Sequence, residues 1–176
     1  MDGLNFRKTG MLFLAVTLLF SVLTLTACGP DIENHADPEE DIFEEVIDAS
    51  ELAGYLEQNI TFSETLIRVD DGAAAELYGI TDYADCCVYI STGATAEEIA
   101  VFVARSADEA LAMVAPLTER IDSQRAIFEN ANPSELEKLD QRVITQMDSA
   151  VVMIVAPDRK EVQTAVDTYC GAFLNE

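Results

Sequence analysis

"CCVYISTGATAEEIAVFVARSADE", residues 86–109, decides the fold. Its first seven residues alternate and carry valine, tyrosine and isoleucine, the pattern of a strand. "EIAVFVAR", 98–105, places Ile99, Val101 and Val103 on one face and Ala100, Phe102 and Ala104 on the other. Gly93 and its polar neighbours join the two runs as a hairpin with a longish loop. "SADE", 106–109, has a capping-box spacing: Ser106 accepts from the first turn of a helix and Glu109 reaches back. That helix is expected to run to about Asn130, with Ala110, Val114, Leu117, Ile121 and Phe128 on one stripe. Pro116 predicts a kink or a late start within it.

The pattern then repeats. "RVITQM", 142–147, and "AVVMIVA", 150–156, form a second hairpin across Asp148-Ser149, after a loop with a short helical turn at 132–140. Asp158 caps a last helix whose buried stripe is Val162, Val166, Tyr169 and Phe173. Upstream, Ile42, Val46, Ile47, Leu52 and Leu56 sit near helical spacing and predict a first helix. Residues 61–80 are ambiguous: "TLIRV" reads as a short strand and "AAAELYG" as a helical turn ended by Gly79. Two hairpins, each followed by a helix, predict an α+β two-layer sandwich: one antiparallel sheet with helices packed on one face.

The N-terminus carries an address. Arg7 and Lys8 precede the apolar stretch "MLFLAVTLLFSVLTL", 11–25, and the run ends in Leu25-Thr26-Ala27-Cys28. Basic, apolar, small is the layout of a secretory signal peptide. The last four residues resemble the lipobox of bacterial lipoproteins. That resemblance implies a diacylglyceryl thioether on Cys28 and cleavage just before it. The expected organisation is a signal peptide at 1–27, a lipidated, acidic, disordered tether at 28–41, and one domain at 42–176. Two acyl chains on one cysteine suffice for stable anchoring at the outer face of the cytoplasmic membrane. The competing reading is an uncleaved membrane-spanning helix, since residues 9–30 carry no charge.

The whole chain has 10 basic and 33 acidic residues and a formal charge of −23. Removing residues 1–27 takes away Asp2, Arg7 and Lys8, which leaves the mature form at −24. Such a charge excludes nucleic acid as a partner, because phosphate binding needs lysine and arginine clusters. It points to a basic protein, a cationic envelope polymer or cations, or else serves solubility alone.

Chemistry is sparse. His35 is the single histidine and lies in the tether, so Ser-His and Cys-His catalysis is excluded from the domain. No G-x-S-x-G elbow, P-loop or dinucleotide fingerprint is present, and neither Lys138 nor Lys160 sits in S-x-x-K. No catalytic residue, cofactor or metal site is expected. Cys86, Cys87 and Cys170 read as small core residues, or as one disulfide joining Cys170 to one of the pair, such as Cys86. Asp70-Asp71-Gly72 reads as a turn, or as a weak cation site. Arg120, Gln124 and Arg125 form a polar patch one turn apart on the long helix. They are candidates for binding an anion, against the plainer reading that Arg120 is paired with a nearby carboxylate.

"STGATAEEIAVFVARSADEA", 91–110, with "RIDSQRAIFENANPSELEKLD", 120–140, resembles a family of clostridial (Firmicutes) lipoproteins that share a domain of unknown function. "GATAEEIAVF" and the R-x-x-S-Q at Arg120 to Gln124 are the most specific parts. The resemblance implies an extracytoplasmic lipoprotein and brings no activity with it. "ADCCVYI", 84–90, departs from the plainer apolar strand of that family. The sequence therefore leads to a non-catalytic binding or interaction module at the cell envelope, presenting a surface to an envelope protein or small ligand. The alternatives are a carboxylate-dependent cell-wall hydrolase and an accessory subunit of a membrane complex.

Overall fold

The computed structural model describes residues 47–173. The signal peptide, Cys28, the tether, Ile42 and Val46 lie outside the described residues, as does the side chain of Phe173. In chain order the elements are α1 (Ala49–Asn59), β1 (Ile67–Arg68), α2 (Asp71–Tyr78), β2 (Asp85–Ile90), β3 (Glu98–Val103), α3 (Ala107–Ala112), α4 (Val114–Ala131), α5 (Leu136–Asp140), β4 (Val143–Met147), β5 (Ala150–Val155) and α6 (Arg159–Phe173).

Local chemistry sets the boundaries. Asp48 caps α1 by accepting from the Glu51 N–H at 2.8 Å. Asp70 caps α2, so the Asp70-Asp71-Gly72 stretch is a helix start rather than a free turn. Gly79 ends α2 at φ 65°, a left-handed position that suits glycine. Ser106 accepts from the Glu109 N–H at 3.2 Å, and Glu109 reaches back to the Arg105 N–H at 3.1 Å. The expected long helix is interrupted at Met113, and α4 starts one residue later. Pro116 explains the break: it has no N–H to offer the carbonyl of Ala112, and a proline in the first turn of α4 leaves no bond unmade.

All five strands are antiparallel, in the order β1-β2-β3-β5-β4. The two hairpins β2–β3 and β4–β5 meet through β3 and β5, which pair from Glu98↔Val155 to Val103↔Ala150. The α+β class and the antiparallel sheet of two hairpins are as expected. The layering is not, because helices cover both faces. α1 and α6 bring Leu52, Leu56, Val162 and Val166 onto Cys87, Ile99, Val101, Val152 and Ile154. α2 to α5 bring Tyr78, Leu117, Ile121, Phe128 and Leu139 onto Cys86, Val88, Phe102, Val151 and Met153. The reason lies in the central strands. Every residue of β3 and β5 is buried, and strands apolar on both sides need a cover on each.

Candidate functional site

β3 opens with two carboxylates, Glu97 just before it and Glu98 as its first residue, each 1% exposed. Alternation along the strand sends them to opposite faces. A buried carboxylate is costly unless its lone pairs are filled and a cation is near.

Glu98 faces α2 and α4. Arg120 forks onto it, Nε to Oε1 at 3.1 Å and Nη2 to Oε2 at 2.8 Å. Gln124, one turn along α4, donates Nε2 to Oε2 at 2.8 Å. The Tyr78 hydroxyl at the end of α2 donates to Oε1. The Arg120 guanidinium lies 5.7 Å from the centre of the Tyr78 ring, and that ring meets Phe102 edge-on at 5.2 Å. Burial pushes the Tyr78 phenol well above its usual range, and the Glu98 carboxylate adds to the push. Burial works against the charge on Arg120, but the bonds and charge of Glu98 outweigh it and hold the guanidinium above its ordinary value.

Glu97 faces the connector after α1 and the start of α5. It accepts from the backbone N–H of Ser63 at 2.8 Å, from the Ser63 hydroxyl, and from Lys138 Nζ at 2.8 Å. Lys138 also pairs with Glu135 at 3.0 Å, and Glu135 accepts from the Ala96 N–H at 3.0 Å. Burial alone would raise the Glu97 carboxyl; the bonds from Lys138 and Ser63 outweigh it, and the net direction is downward.

The patch read at Arg120, Gln124 and Arg125 is thus divided. Arg120 and Gln124 turn inward and share Glu98, and Arg125 pairs with Asp140 near the end of α5. Glu98 has no lone pair left for a substrate. Each carboxylate is held by its own partners, Glu98 by Tyr78, Arg120 and Gln124, and Glu97 by Ser63 and Lys138. Both act as hubs, Glu98 joining α2, β3 and α4, and Glu97 joining the connector after α1 to β3 and α5. Sequence reading missed Glu97, Glu98, Tyr78 and Lys138 as members of these hubs. The available signal was Glu98 itself, whose alternation with Ala100 and Phe102 puts it on a buried face.

Among the described residues Cys86, Cys87 and Cys170 are free thiols, and Cys86 and Cys170 are not joined. Cys86 packs on the α2–α4 face and Cys170 against the α1–α6 face, with the sheet between them. Cys170 Sγ instead lies 3.0 Å from Met147 Sδ. Among the described residues no group of histidine, cysteine and acidic side chains is arranged to hold a metal ion. A groove of about 400 Å³ runs between α1 and α6, past Tyr55, Lys160, Glu161 and Thr164.

The family described as "Domain of unknown function (DUF4358)" matches residues 58–156. The chain belongs to that family. The DUF4358 span runs from the end of α1 to just past β5, so it contains the whole sheet and both carboxylate hubs. It leaves out α6 and nearly all of α1, the layer over one face. No curated protein and no solved structure matches the chain.

Proposed function

We propose that this DUF4358 protein is a lipid-anchored interaction module without catalysis, held at the outer face of the cytoplasmic membrane of a clostridial (Firmicutes) bacterium by a diacylglyceryl group on Cys28. Its acidic surface takes a cationic partner, a basic envelope protein or polymer. The observation that carries the choice of partner is the use of the basic side chains. Residues 42–176 hold eight of them. Arg68, Arg105, Arg120, Arg125 and Lys138 pair with carboxylates of the chain itself. Arg142 and Arg159 donate to backbone carbonyls around the end of α5. Lys160 is the one remaining. The domain's own structure therefore occupies its cations, and the acid excess is what the surface offers. The lipobox at Leu25 to Cys28 supports the anchor. Among the described residues no helix is long and apolar enough to cross a membrane.

Two measurements test this. Intact mass of the protein from its own membrane should show a chain starting at Cys28 with a diacylglyceryl adduct, absent in Cys28→Ala. An unmodified chain retaining Met1 would overturn the anchor. Fluorescent oligolysine should bind the full chain in detergent micelles and weaken steeply between about 0.01 and 0.3 M salt as screening grows. Preference for oligoglutamate or inorganic phosphate would overturn the cationic partner.

A further inference from the structure

The two edges of the sheet are unlike. β1 is two residues long and carries Arg68, which is how natural proteins blunt an edge. β4 has five residues, "VITQM", without charge, proline or glycine. Which of its backbone groups face outward follows from the register. Met147↔Ala150 closes a two-residue turn, so Val143, Thr145 and Met147 are the residues hydrogen-bonded to β5. The Ala104 N–H donating to the Ser149 carbonyl at 2.8 Å fixes the same phase from the other side. Ile144 and Gln146 therefore direct their N–H and C=O away from the sheet. The ends of this stretch are occupied, since the Arg142 carbonyl accepts from Arg159 and the Asp148 carbonyl accepts from the Gln146 side chain.

We infer that β4 is the docking edge for β4 of a second copy of this chain, antiparallel about a two-fold axis at Thr145. In that register Ile144 of one copy exchanges both backbone bonds with Gln146 of the other, and the reciprocal pair does the same. Those are the outward-facing residues, so the phase fits without adjustment. Thr145 faces its own copy in a non-hydrogen-bonded pair, and Val143 faces Met147, both favourable cross-strand partners. Charge selects the same alignment. Arg142 just before the strand comes opposite Asp148 just after it, twice, by symmetry. A slip by two residues would lose both the charge match and the Thr145 pair. Ile144, Thr145, Gln146 and Met147 are all half-buried in the single chain and would be covered in the pair. The inference goes beyond the proposed function and does not depend on the anchor.

The test is cysteine trapping in the full chain in detergent micelles under mild oxidation, with the unsubstituted chain as the background for its own cysteines. A non-hydrogen-bonded pair sits about 4.5 Å apart at Cα, within the span of a disulfide. Ile144 lies diagonally from its own copy at about 7–8 Å, so Thr145→Cys should trap a dimer at least about tenfold faster than Ile144→Cys. It should exceed Gln163→Cys, on the exposed side of α6, by as much. Adding Arg142→Glu to Thr145→Cys sets a carboxylate against Asp148 of the other copy and should slow trapping severalfold. Trapping at Thr145→Cys no faster than at Gln163→Cys overturns the dimer. Trapping fastest at Ile144→Cys, or unaffected by Arg142→Glu, overturns the register on which the inference stands.

Discussion

Glu98 accepts from three side chains on two helices, and that sets what its loss would do. Removing Arg120 leaves a carboxylate 1% exposed and without its cation. Breaking a buried pair on one side costs about 3–5 kcal/mol, so Arg120→Leu should unfold at markedly lower urea, the midpoint falling at unchanged slope. Tyr78→Phe removes only a neutral donor to a charged acceptor and should cost about 1.5–3 kcal/mol. If Arg120→Leu were neutral, Glu98 would not be the hub described. The partner of Arg120 was hard to find from the sequence. Arg120 and Gln124 read correctly as one helix face, because four residues apart is a local fact. Glu98 lies 22 residues away in a chain with 33 acids, and choosing it requires the phase of β3.

Glu97 gives a pH signature. Its folded carboxyl lies below its ordinary value, which the unfolded chain keeps. The stability it contributes is therefore present above the unfolded carboxylate range, near pH 4.3, and is lost as pH falls through the lower folded value. Glu97→Gln should flatten the acid side of the stability curve below about pH 4.3 relative to the parent. An acid limb of unchanged steepness would show that Lys138 and Ser63 contribute little through this carboxyl.

At the scale of elements, the ends of helices were the most legible features, because capping chemistry acts over a few residues. Ser106 with Glu109, Asp158, and Gly79 all terminate helices as their sequence neighbourhood predicts. Gly79 gives a clean test. A Cβ added there meets nothing within 4 Å, so the cost of Gly79→Ala is conformational alone, at φ 65°. Thermal unfolding should register a loss of about 1–2 kcal/mol. β1 was less legible, since two residues carry no periodicity. It forms because the N–H of Val69 and the pairs Ile67↔Ile90 and Arg68↔Tyr89 extend the β2 ladder.

At the scale of the molecule, the sequence named the sheet and misjudged what surrounds it. The run that forms β3 shows apolar residues on both faces, yet the expected helices all lie on one. Helix stripes say that a helix packs, not on which side of a sheet. That choice is set by the connections, and the residues that enter and leave α1 and α6 carry no local mark of it. The result is two cores divided by the sheet, one around Leu52 and the other around Leu117, both fully buried. Leu52→Ala and Leu117→Ala should each cost about 2–5 kcal/mol, because each opens a cavity in its own layer. The two sites share no neighbour and lie on opposite sides of a sheet whose faces pack about 10 Å from their covers. Their effects should therefore add within about 0.5 kcal/mol in the double variant. A single core on one face would couple them, since relaxation around one cavity would reach the other. Equilibrium urea unfolding of the two single variants and the double decides between the two arrangements, because a coupling above about 1 kcal/mol requires the two leucines to share a packing environment.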